Sequence, residues 1–117
     1  MRLPRALLLL IVTAGCGWVP TDEQVLTTFF EQSRLYDTTR MAELSSVTFD
    51  PRVEGVVDRF RITSRVDRSL EGNRLEREAT LATHVRTADH EYDRTLRVTM
   101  ERSPDGRWMV RRFRWVS

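Results

Sequence analysis

The side chains best placed to do chemistry lie in the second half of the chain. There, polar residues fall on what reads as the apolar face of a sheet: Ser64, Arg77, Thr83 and Arg94. A buried arginine without a partner is too costly to be casual. Arg94 is expected opposite Thr83 and near Trp115, with Tyr92 two residues away on the same face. One reading is an anion or carboxylate pocket, with Arg94 as donor, Thr83 beside it and Tyr92, Trp115 and Tyr36 as walls. The other is a sheet-end arginine stacked on Trp115 with its head in water. Arg77 is expected at the opposite end, near Arg68 and Met100, as a snorkelling edge residue.

His84 and His90 stand near Asp89, Glu91 and Asp93, a composition that raises the question of a metal. His90 falls in a predicted turn, His84 faces outward, and no metal-ligand spacing motif is present. No metal and no cofactor are therefore expected. A glycine-rich phosphate loop and a serine or cysteine nucleophile motif are missing too. No catalytic residue is assigned, and the chain reads as a non-enzyme. The outward face carries Arg59, Arg61, Arg65, Glu76, Glu78, Arg86, Glu91, Arg97 and Glu101, with Arg86 expected opposite Glu91. It reads either as a solvated face laced by ion pairs worth about 0–1 kcal/mol each, or as a surface for a protein partner or a second copy. Arg61, Arg97, Glu78 and Arg86 are the candidate contact residues for the second case.

The elements that must position these groups are legible from periodicity. Thr21 and Gln24 form a capping box before a helix, Asp22 and Glu23 suit its first turn, and Val25, Leu26, Phe29, Phe30 and Tyr36 give an apolar stripe. Asp37-Thr38-Thr39 breaks and recaps the chain, and Arg40 to Leu44 reads as a short second helix with Met41 and Leu44 inward. From about Val56 the period becomes two. Phe60, Ile62, Ser64 and Val66 alternate with Arg59, Arg61, Thr63 and Arg65. Two further alternating runs and a shorter one follow.

The turns predict the register. Gly72-Asn73 suits a two-residue hairpin, which places Val66 opposite Ala79 and Ile62 opposite Thr83. A loop centred on Ala88-Asp89 places Leu81 opposite Leu96 and Ala79 opposite Val98. Pro104-Asp105-Gly106 suits a three-residue loop with Gly106 left-handed, and places Met100 opposite Val110. The phase jump from Val110 to Phe113 predicts a bulge near Arg111-Arg112. The expected architecture is α+β: an N-terminal helix and a short second helix packed on a curved four-stranded antiparallel meander.

The first residues describe an address. Arg2 and Arg5 precede the apolar run Ala6 to Val12, and Thr13-Ala14-Gly15 places small residues before Cys16. These are the parts of a secretory signal, and the run is too short to span a bilayer, which takes about 20 residues. The Ala-Gly-Cys ending resembles the lipobox of bacterial lipoproteins, although Thr13 stands where leucine is commonest. That resemblance implies a signal peptide over residues 1–15, a lipidated Cys16 and a short tether to residue 20, then one domain over 21–117. Two or more acyl chains on Cys16 would anchor the chain stably. Gly17 rather than Asp follows the cysteine, which implies the periplasmic face of the outer membrane in a Gram-negative cell, and otherwise the outer surface of the cell membrane.

The formal charge of +2 comes from 19 basic and 17 acidic residues, every basic one an arginine. Arg2 and Arg5 belong to the leader, so the remainder is neutral and no nucleic-acid partner is expected.

Three motifs in order give the domain a likeness. They are Val25-x3-Phe29-Phe30, then Tyr36-Asp37-x3-Met41-Ala42-x-Leu44, then Asp105-Gly106-x-Trp108-x-Val110. Together they resemble the NTF2-like superfamily, the cone-shaped cystatin-like α+β fold. The resemblance implies that fold, a pocket at the open end of the cone near Arg94, and association through the sheet. The segment from Val47 to Val56 is shorter than in larger members, and the Asp and His bases of the isomerase and dehydratase branches have no counterpart. The expected function is thus a membrane-anchored, non-catalytic binding or accessory module. The alternative is a small anionic ligand site, or an enzyme or sensor, built on a cone pocket around Arg94.

Overall fold

The computed structural model describes residues 19–116; the expected signal peptide and lipidation site at Cys16 lie outside them. Helix α1 spans Asp22–Arg34. Its start follows the capping box: Thr21 Oγ1 accepts from the Gln24 N–H, and the Gln24 side chain accepts from the Thr21 N–H at 2.8 Å. Val25, Leu26, Phe29 and Phe30 are buried beneath it. The helix ends before Tyr36, which takes a left-handed φ of 58°. Tyr36 is therefore thrown off the apolar stripe on which its spacing placed it. It is 52% exposed, with the Arg52 guanidinium 5.2 Å from its ring centre. Asp37 then caps α2, Thr38–Met41, two residues earlier than its apolar pattern suggests. Met41 is buried and Leu44 half-buried.

The sheet is a four-stranded antiparallel meander of β1 (Val56–Leu70), β2 (Arg74–Arg86), β3 (Glu91–Arg102) and β4 (Trp108–Trp115), in the order β1-β2-β3-β4. The β2–β3 register has Leu81 opposite Leu96, Ala79 opposite Val98 and Thr83 opposite Arg94, as the Ala88-Asp89 loop requires. Met100 faces Val110, Gly106 is left-handed, and an extra residue on β4 lies between Val110 and Arg112. The bulge there restores Phe113 and Trp115 to the inner face.

The β1–β2 hairpin departs from expectation. Leu70 pairs with Arg74, so the turn is the three residues Glu71-Gly72-Asn73, the last two left-handed. Two further register shifts leave Asp58 and Thr63 as extra residues on β1. The turn and the Thr63 bulge each move the register by one. Together they move it by two, so Phe60 and Ile62 keep the inner face, opposite Thr83 and Leu81. Between turn and bulge the shift is one, and a shift of one reverses the faces. Val66 therefore pairs with Glu78 and is 64% exposed, while Arg65 turns inward opposite Ala79.

Helix α1 packs on the inner face over Ala79, Leu81, Val85, Leu96, Val98, Met100 and Val110. After α2 the chain runs along the edge of β4. The Val110 N–H donates to Leu44 O at 2.8 Å, and the Ser46 N–H donates to Val110 O at 2.9 Å. Phe49 then enters the core, and a short helix α3, Pro51–Glu54, is capped by Asp50 with proline at its start. No helix among the described residues is long and apolar enough to cross a membrane.

Gly55 joins α3 to β1 with φ of 88°, and a Cβ there would lie 2.5 Å from Val85 Cγ1. Gly55→Ala should lower the unfolding free energy by about 1–3 kcal/mol, from backbone strain and the displaced Val85. Denaturant melts check this; stability equal to that of the parent would mean the strand end yields freely.

Candidate functional site: the two faces of the sheet

On the inner face the expected group around Arg94 is partly assembled. Thr83 Oγ1 donates to Arg94 O at 2.7 Å, and the Arg94 guanidinium lies 4.2 Å from the Trp115 ring centre. Tyr92 follows on the same face, opposite Val85. Tyr36 does not join them, for the reason given above. Phe49 is what the sequence reading missed. Its ring lies 4.8 Å from Phe113 and 6.1 Å from Trp115, and it also meets Phe29 and Phe30. Trp115 Nε1 donates to Glu54 at 2.9 Å. The space between α1 and this end of the sheet is thus taken by rings, and Arg94 has the stacked arrangement. Asp50-Pro51 was the legible signal, since it starts the helix that presses Phe49 inward.

At the opposite end of the same face, Arg77 is no snorkelling residue. It forms a fork with Asp67, at 2.7 and 2.8 Å, and donates to Asp22 at 3.0 Å. Its guanidinium also stacks on Trp108 at 4.6 Å. Arg65, turned inward by the Thr63 bulge, donates to Asp22 at 2.7 Å. Asp22 is only 4% exposed. Burial pushes its carboxyl up, but the hydrogen bonds from Arg65 and Arg77 outweigh this and hold its pKa below the usual aspartate value. The network ties the start of α1 to β1 and β2, a structural rather than chemical arrangement.

Among the described residues no helix covers the outer face. A shallow groove of about 490 Å³ runs across β1, β2 and β3, lined by Arg59, Arg61, Ala82, His84, Asp93 and Thr95, with Phe60 and the expected pocket residues Thr83 and Arg94 also at its wall. Among the described residues, Arg59, Arg61 and Arg114 form no ion pair. Arg97 stands directly opposite Arg114. It lies 3.7 Å from Glu78, and its Nε is buried without a hydrogen-bond partner. Like charges facing each other across strands are destabilising. Arg86 faces Glu91 in register as expected, yet its ion pair is with Asp58, at 3.1 Å. Glu91 instead meets His84 Nε2 at 3.0 Å, and Asp93 meets Nδ1 at 3.0 Å. These two carboxylates, Glu91 first, raise the imidazole pKa. His84 faces outward as expected and is clamped there, with its side chain 17% exposed. His90 is exposed in the loop and outside this group.

No family model, no curated protein and no solved structure matches the chain.

The Asp22 network makes a pH prediction. A carboxyl whose folded pKa is depressed contributes stability above its unfolded value of about 3.9, and loses it as pH falls through the folded value. Asp22→Ala should cost about 1–3 kcal/mol at neutral pH, since Arg77 keeps Asp67 and Arg65 is half in water. The difference between variant and parent should begin to shrink as pH falls below about 4 and close beneath the depressed folded value. Urea melts across that range check it; a constant difference would assign the loss to packing rather than charge.

Proposed function

We propose that the chain is an exported lipoprotein, held at the membrane through Cys16, whose NTF2-like domain is a non-catalytic binding module that docks an acidic protein partner on its outer sheet face. The anchor reading rests on the lipobox-like Thr13-Ala14-Gly15-Cys16 after an apolar run. The fold reading is supported by the element order, helices first and then a four-stranded antiparallel meander.

One observation carries the binding mode. The inner face is filled by the apolar core and its rings, whereas among the described residues Arg59, Arg61 and Arg114 on the outer face form no ion pair and Arg97 has only Glu78, at 3.7 Å. An interface carrying carboxylates would relieve the Arg97–Arg114 repulsion and supply bidentate acceptors. The alternative pocket at Arg94 would have to displace Phe49 or Trp115 from the core.

Two experiments test these readings separately. Radiolabelled palmitate should enter the wild-type chain and not Cys16→Ala; equal labelling, or none in either, defeats the anchor. A photo-crosslinking residue in place of Ala82, at the centre of the groove, should trap one defined partner in cells, and Arg61→Glu with Arg114→Glu should cut its yield at least tenfold. Tyr92→Ala, on the inner face and outside the groove, should leave the yield unchanged. An adduct that survives the double charge reversal, or depends on Tyr92, defeats the docking surface.

A further inference from the structure

We infer that Asp58, His84 and Glu91 form a binding site for a zinc-type divalent ion on the outer face, at the end of the sheet. The three residues come from three neighbouring strands, and one ligand atom from each lies within 4.8 Å of the others. One imidazole and two carboxylates are the donor types that zinc takes, with bonds of about 2.0–2.2 Å. Bonds of that length in a tetrahedron set ligand atoms about 3.4 Å apart. His84 Nε2 and Glu91 Oε1 stand at 3.0 Å, so this pair needs to open only slightly to admit the ion.

Two features orient the cluster. Asp93 holds His84 Nδ1 at 3.0 Å. This fixes the ring so that Nε2 faces Glu91. A carboxylate on the far nitrogen is the usual outer partner of a zinc-bound histidine. Asp58 is the extra residue of the first β1 bulge, between Val57, whose side chain is buried, and Arg59 opposite His84. Bulges re-aim a side chain, and this one turns Asp58 to the side of the sheet that carries His84 and Arg86. Without the insertion the strand would present no carboxylate there.

Two cations face the cluster. Arg86 donates to Asp58 at 3.1 Å and is exposed, so it can swing away as an ion enters. Arg59 lies near enough to His84 to oppose a charge on its ring. Three protein ligands leave a fourth position open toward solvent, beside the groove that His84 and Asp93 also line. The inference is independent of the membrane anchor and of the docking surface.

The test is calorimetric titration of zinc chloride into the full chain in detergent, after chelator treatment. One ion per chain is expected. Glu91→Gln and Asp58→Asn, both at exposed positions, should each weaken binding at least tenfold, and His84→Ala should abolish it. Asp93→Asn should weaken it about tenfold through the freed ring, Arg86→Ala should tighten it, and His90→Ala should not change it. Circular dichroism melts confirm that each variant folds; should His84→Ala not fold, the two carboxylate variants decide. No stoichiometric binding by the wild type overturns the site. So does binding that survives Glu91→Gln and Asp58→Asn unchanged, or that falls with His90→Ala.

Discussion

A buried carboxylate needs partners, and Asp22 sets much of this fold by needing two. It stands in the first turn of α1, where the helix dipole favours an acid, yet it faces the sheet rather than water. Left alone there it would cost several kcal/mol or protonate. Arg77 can reach it from an ordinary inward position on β2. Arg65 can reach it only because the Thr63 bulge and the three-residue turn reverse the faces of the strand between them. The same reversal sends Val66 outward, a poor place for a valine. The cost of exposing one aliphatic side chain is small beside that of an unpaired carboxylate. The polar joint also lets the apolar core end cleanly, with Trp108 closed over by Arg77 and Arg102.

How far the sequence disclosed this depends on where its chemistry is local. The capping box at Thr21 and Gln24, the Pro104-Asp105-Gly106 turn and the phase jump after Val110 each fix geometry within a few residues. Elements built on them stand where the pattern puts them. Gly72-Asn73 is ambiguous, because both residues tolerate left-handed φ and suit a two- or three-residue turn. Past Ile62 only Val66 and Leu70 are apolar on this strand, too few to choose between the two turns. Bulges at Asp58 and Thr63 leave no mark in composition, so the faces of Arg65 and Val66 were assigned in reverse. Arg94 and Trp115 were found because both registers that join them were legible. Phe49 lay in a segment without periodicity, and Asp58 is far in sequence from His84 and Glu91. Only the folded sheet brings those three together.

The two faces of the sheet have divided their work. The inner one spends its residues on rings and on the Asp22 joint. The outer one keeps charges that do nothing for the core and in one pair oppose it. Arg97 across from Arg114 places two like charges side by side, which is destabilising. A neutral domain can carry such a local imbalance because acids elsewhere on the surface, among them Glu23, Glu31 and Glu43, offset it. Polarity of this kind gives orientation to an encounter without demanding a high net charge.

Among the described residues β1 has a neighbouring strand on one side only. Its 15 residues would offer a long row of unsatisfied amides and carbonyls to any passing strand. Pairing of that sort between copies is how sheet edges seed aggregates. A bulge near each end of its first half, and arginines at 59, 61, 65 and 68, keep the edge bent and charged. On β4 the Leu44–Ser46 segment performs the same duty by occupying the backbone at Val110. The irregularities of β1 that obscure its register in the sequence therefore also make its edge a poor template for another strand.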